Sequence, residues 1–88
     1  MKPSLHQRTP KEAFALALHE LRVRRGLSMA ELATRCHFKP IYIEMLEREV
    51  QEPMLTNLVT IAQAMDIRPS DLVLRWEQHL YVPLPHGG

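Results

Sequence analysis

The stretch that decides the fold is Leu27 to Glu47, LSMAELATRCHFKPIYIEMLE. It opens on Ser28-Met29-Ala30-Glu31, a capping box in which the serine oxygen takes a main-chain N–H three residues on and the glutamate reaches back to the serine N–H. Leu27 and Leu32 stand at the two positions of a hydrophobic staple. This spacing predicts a short helix with Leu32, Ala33 and Cys36 on its inner face, ending after about two turns near His37. Pro40 suits the first position of a second short helix, where its missing N–H costs nothing. In that helix Ile43 and Leu46 point inward and Tyr42 lies at the flank, while Pro40, Ile41, Glu44, Met45 and Arg48 share the opposite face. Ala33 is small, as a close crossing of the two helices requires.

Outward on the N-terminal side, Thr9-Pro10-Lys11-Glu12 is another capping box, with proline at the first helical position. Phe14, Ala17, Leu18 and Leu21 recur at helical spacing, Arg24 and Arg25 fall in the last turn, and Gly26 supplies a left-handed stop, so a helix is expected over Pro10 to Arg25. Residues 1–8 show no periodicity and read as a flexible arm. On the C-terminal side, Pro53 closes the acidic connector Glu49 to Glu52. Leu55, Leu58, Ile61, Ala62 and Met65 make the stripe of a fourth helix, and Pro69 with Asp71 opens a fifth whose apolar side is Leu72, Val73 and Trp76. Residues 77–88, with Pro83 and Pro85 among Tyr81, Val82 and Leu84, read as an extended tail.

The whole chain has 88 residues, 45% of them hydrophobic and 24% charged, with one cysteine. That length supports one core and leaves little room for an enclosed enzyme cavity. No apolar run approaches the about 20 residues of a membrane span, and no secretory leader is expected after Lys2, which makes the cytoplasm the expected location. The net charge of +1 hides an asymmetry: residues 1–39 carry eight Lys or Arg against three Glu, and residues 40–88 carry three against seven acids. A basic face toward an anionic partner is the expected use of that imbalance.

Two short helices joined by a tight turn and braced by a helix on either side form a helix-turn-helix, in which the second short helix enters the DNA major groove. From Phe14 to Val73 the chain resembles the Cro/C1-type (lambda-repressor-like, XRE) helix-turn-helix family, through LR at Leu21-Arg22, GLS at Gly26 to Ser28, ELA at Glu31 to Ala33, YI at Tyr42-Ile43, LE at Leu46-Glu47, and Pro53. The resemblance implies an all-α, five-helix domain over residues 9–76. It also implies an ion pair between Arg22 and Glu47 that fixes the second short helix.

By the same resemblance, base-reading falls to Lys39, Pro40, Ile41, Glu44 and Met45. Phosphate contact falls to Met29, Arg22, Arg24, Arg25, Arg35, Tyr42 and Arg48. Two departures from the family pattern bear on this. Met29 replaces a common glutamine, leaving main-chain amides at the start of that helix to hold a phosphate. His37 replaces the turn glycine, which histidine tolerates better than bulkier residues do. The reading set is unusually apolar: Ile41 and Met45 suit thymine methyl groups, Glu44 suits cytosine N4, and Lys39 is the one strong donor. An apolar protein-contact surface is the competing use of this face.

Leu72, Trp76, Leu80, Tyr81, Val82 and Leu84 are expected at a homodimer interface, or in a tail folded back on its own domain, with Leu16 and Val23 joining either surface. The expected function is a sequence-specific transcriptional regulator, a repressor that binds near-palindromic double-stranded DNA as a homodimer. The alternative is an adaptor or antitoxin-like module. No catalytic order, small-molecule site, cofactor or metal is expected, since Cys36 and His37 are adjacent ligands with no second spaced pair.

Overall fold

The computed structural model describes the backbone of residues 5–83, with side chains from Gln7 to Val82. Seven elements follow in order: β1 (Leu5–Gln7), α1 (Pro10–Arg24), α2 (Met29–Cys36), α3 (Pro40–Glu47), α4 (Leu55–Ala64), α5 (Pro69–Leu80) and β2 (Tyr81–Pro83). The five helices lie where the sequence puts them, and both capping boxes form. Glu12 N donates to Thr9 Oγ1 at 3.2 Å and Thr9 N to Glu12 Oε1 at 3.2 Å. Glu31 N donates to Ser28 Oγ and Ser28 N to Glu31 Oε1, both at 3.0 Å. Arg25 is the C-cap of α1, and Gly26 follows with φ +68°.

The core is drawn from all five helices: Leu18, Leu32, Ile43, Leu46, Ile61, Met65 and Leu72 are fully buried. α1 is the central brace, packed on α5 along one side and on α3 along another. That double contact buries Ala13, Ala15 and Ala17 as well as Phe14 and Leu18. Leu72 is 0% exposed within a single chain, so it is a core residue and not part of a dimer interface. Its i, i+4 partner Trp76 shares the core-facing side and donates from its indole N–H to Pro10 O at 3.2 Å.

Two further expectations are corrected. α5 runs past Trp76 to Leu80, because Glu77 and Gln78 are good helix formers and no proline intervenes before Pro83. The part of the N-terminal arm that is described is an antiparallel strand: β1 pairs with β2 in the register Leu5↔Pro83, His6↔Val82, Gln7↔Tyr81. Arg8 extends the clasp, its N–H donating to Leu80 O at 3.1 Å and its Nη1 to His79 O at 2.9 Å, both carbonyls at the end of α5. The described part of the tail thus folds back on its own domain. Residues 1–4 of the arm and Leu84 lie outside the described residues.

Candidate nucleic-acid interface

Between α2 and α3 the chain turns in three residues, His37, Phe38 and Lys39. His37 takes the left-handed conformation, φ 58° and ψ 34°, the position glycine fills most cheaply. Its N–H donates to Thr34 O at 3.1 Å and Phe38 N–H to Ala33 O at 2.9 Å, which satisfies carbonyls at the end of α2. Phe38 and Tyr42 then pack edge to face, ring centroids 5.0 Å apart. The tyrosine oxygen accepts from Asn57 Nδ2 at 3.0 Å, joining the turn to α4. Ala33 is fully buried where α2 and α3 meet.

The orientation of α3 is set from the other end. Arg22 Nε donates to Glu47 Oε2 at 2.6 Å and Nη2 to Oε1 at 2.9 Å, while Nη1 donates to Leu27 O at 2.8 Å. His19 Nδ1 lies 2.9 Å from Glu47 Oε1 and caps the cluster on its solvent side. The hydrogen bond to Glu47 raises the Arg22 pKa above its ordinary value, outweighing the opposing effect of burial. With every guanidinium nitrogen engaged and the residue only 8% exposed, Arg22 is a structural residue and not a phosphate ligand.

Of the expected base-reading residues, Lys39, Pro40 and Ile41 are exposed, and Glu44 and Met45 are half-buried. Glu44 Oε1 is paired with Arg48 Nη2 at 2.9 Å. Met45 Sδ accepts from Gln51 Nε2 at 3.6 Å. Lys39, Ile41, Tyr42, Met45, Gln51 and Asn57 line a shallow depression of about 400 Å³ beside α3. Gln51 and Asn57 are the residues sequence reasoning missed. Nothing in the periodicity marks an amide in a connector, or one on α4, as a neighbour of the reading face.

The other basic residues expected at phosphates each bond within the domain. Arg25 Nη2 reaches Asp66 O at 3.4 Å and Arg35 Nη1 reaches Ala64 O at 3.3 Å, so these two share the C-terminal end of α4, where carbonyl groups favour cations. Arg24 instead pairs with Glu20 at 3.2 Å. The Met29 side chain packs against the core. What that position offers an anion is therefore its main-chain N–H, in the first turn of α2, which no intrahelical carbonyl reaches.

Cys36 is buried, and burial pushes its thiol pKa up to about 11, far from a reactive thiolate. Among the described residues, no three His, Cys, Asp or Glu side chains come together to hold a metal ion. No described helix is long and apolar enough to cross a membrane.

The arrangement of a capped α2, a three-residue turn and a clamped, outward-facing α3 defines a helix-turn-helix protein. Residues 18–72 match the model of the helix-turn-helix family HTH_3, and the chain belongs to that family of DNA-binding transcription regulators. Among solved structures, the restriction-modification controller protein C.AhdI from Aeromonas hydrophila is 32% identical, with a TM-score of 0.70 over 74% of this chain and 98% of that one. The clp gene regulator ClgR from Corynebacterium glutamicum is 24% identical, with a TM-score of 0.78 over 85% of this chain and 96% of that one. The controller protein C.Esp1396I, solved as a tetramer with its natural 35-base-pair operator, is 14% identical, with a TM-score of 0.76 over 84% of this chain and 97% of that one. No curated protein matches the sequence.

Proposed function

We propose that this protein is a cytoplasmic, sequence-specific repressor that occupies a near-palindromic operator as a homodimer, with α3 of each copy in the major groove. The observation that carries this reading is the exposure of Lys39, Pro40 and Ile41 on an α3 whose inner residues Ile43 and Leu46 are fully buried and whose end is clamped by Arg22. A rigid helix with one face in the core and the other in solvent is what groove insertion needs.

Lys39, Ile41 and Met45 read bases in this proposal. Arg25, Arg35, Tyr42 and the amides that open α2 hold phosphates, and Arg24 and Arg48 contribute once released from their carboxylate partners. That a controller protein of the same fold was solved as a tetramer on its operator supports duplex DNA as the partner. Repression follows from occupancy of promoter DNA.

The homodimer has a candidate surface in the largely apolar groove where Phe14, Leu55, Leu58 and Trp76 meet Pro10 and Pro53, with Glu52 the one charged residue of its lining. Leu55 is 77% exposed and Met54 beside it 69%, more than isolated surface residues require. Two-fold pairing is expected to hold the two α3 helices about 34 Å apart, one turn of DNA.

Selection from a random duplex library, followed by titration of the chosen duplex at several salt concentrations, tests the function. A saturable complex is expected, with log affinity falling by about 0.9 per phosphate contact for each unit of log salt. Lys39→Ala should weaken it and alter base preference. Absence of a saturable complex at modest ionic strength would overturn the reading.

A further inference from the structure

We infer that the outward face of α3 reads the 5-methyl groups of pyrimidines, with Ile41 and Met45 as the specificity-determining residues. The preferred half-site then carries thymines at these contacts and accepts 5-methylcytosine in their place. This rests on the docking of α3 proposed above.

Apolar side chains make up much of this face, and several of the polar groups beside it already bond within the domain. Glu44, whose carboxylate suits cytosine N4, is paired with Arg48 at 2.9 Å and must give up that partner before it meets a base. Gln51, whose amide suits adenine, gives one of its two Nε2 hydrogens to Met45 Sδ. Pro40 has no N–H, which leaves Lys39 at the head of the helix. The apolar groups this face offers are the Ile41 side chain, 52% exposed, and the half-buried Met45 side chain, whose Sδ accepts from Gln51.

Ile41 and Met45 are four residues apart, so they lie on one face with about 6 Å between them along the helix axis. Base pairs rise by about 3.4 Å, and the two side chains therefore address methyl groups one to two steps apart. The thymine methyl is the apolar group on the major-groove edge, and unmodified cytosine lacks it. Methylation of cytosine at C5 places the same group on the same ring carbon.

The experiment starts from the duplex selected by the full chain. Each thymine is replaced in turn by deoxyuridine, which deletes only the methyl, and in separate duplexes by cytosine or 5-methylcytosine paired with guanine. Removing a read methyl should weaken binding about four-fold, the equivalent of one buried methyl-sized group. At the same positions 5-methylcytosine should bind better than cytosine by a similar factor. In Ile41→Ala and in Met45→Ala the deoxyuridine penalty should vanish at one position and persist at the other, which a general loss of fold cannot produce. Tight binding indifferent to every deoxyuridine overturns this inference and leaves the DNA-binding reading standing. Failure to select any duplex overturns that reading and the inference with it.

Discussion

Arg22 and Glu47, 25 residues apart, meet in a two-pronged ion pair of 2.6 and 2.9 Å, with the side chains only 10% and 8% exposed. The pair joins α1 to the last residue of α3, so it acts on the direction of the reading helix as well as on stability. Truncating either partner strands the other charge in a poorly hydrated place. Arg22→Ala and Glu47→Ala should each cost about 3–5 kcal/mol in urea unfolding. The double variant Arg22→Ala, Glu47→Ala should lose less than the two single losses combined, because neither charge is left behind. Additive losses would show that the partners act independently.

Gly26 and His37 both sit in the left-handed region, at φ 68° and 58°, but only one is glycine. A methyl group added at Gly26 meets nothing within 4 Å, so Gly26→Ala should lose about 1 kcal/mol through backbone conformation alone. His37→Gly should move the other way and gain up to about 1 kcal/mol, since its exposed ring gives up little packing. Chemical denaturation midpoints of the two variants, on opposite sides of the parent, check both at once.

Glu20 holds α1 to α5. Its carboxylate lies 2.8 Å from Arg75 Nη2, 3.2 Å from Arg24 Nη2 and 2.9 Å from His79 Nε2. Burial pushes its pKa up, but the hydrogen bond with His79 and the charges of Arg75, His79 and Arg24 outweigh it, leaving the group below its ordinary 4.5. A carboxyl that is more acidic folded than unfolded stabilises the fold fully above the unfolded value. That contribution is lost as pH falls from about 4.5 through the lowered folded pKa. Glu20→Gln should therefore be less stable than the parent at pH 7, and the two stabilities should converge in acid. Urea midpoints measured between pH 7 and pH 3 decide the matter, and a constant gap would remove Glu20 from the account.

Leu55 tests the proposed dimer without touching the core. Because it is 77% exposed, Leu55→Glu should leave helical content unchanged while placing a charge in an apolar interface. Sedimentation equilibrium is expected to show dimers of the parent protein and monomers of the variant. A monomeric parent, or a variant that still dimerises, would remove this groove as the interface.

Local chemistry is what made the fold legible. The two capping boxes, Gly26 and Pro40 each act within three or four residues, so Thr9-Pro10-Lys11-Glu12 and Ser28-Met29-Ala30-Glu31 mark helix starts that form as read. The Arg22–Glu47 pair is not local, and it came from a family resemblance that the structure reproduces in detail. The β1–β2 pairing was not legible, because strands of three residues have no periodicity and their partners lie at opposite ends of the sequence. Leu72 was misassigned for a related reason: an apolar stripe shows that a residue is covered without showing whether its own chain or another covers it. The reading face was legible as a face. That Glu44 and Met45 are already engaged by Arg48 and Gln51 emerges only from side-chain geometry.

The clasp between Leu5 and Pro83 makes the domain a nearly closed ring of backbone. Joining those two residues through a short flexible bridge and opening the chain between the exposed Gln51 and Glu52 should yield a circular permutant that keeps the same five-helix core. In that permutant the reading helix would stand next to a chain end, where a fluorophore or a second domain can be attached beside the surface it reports on.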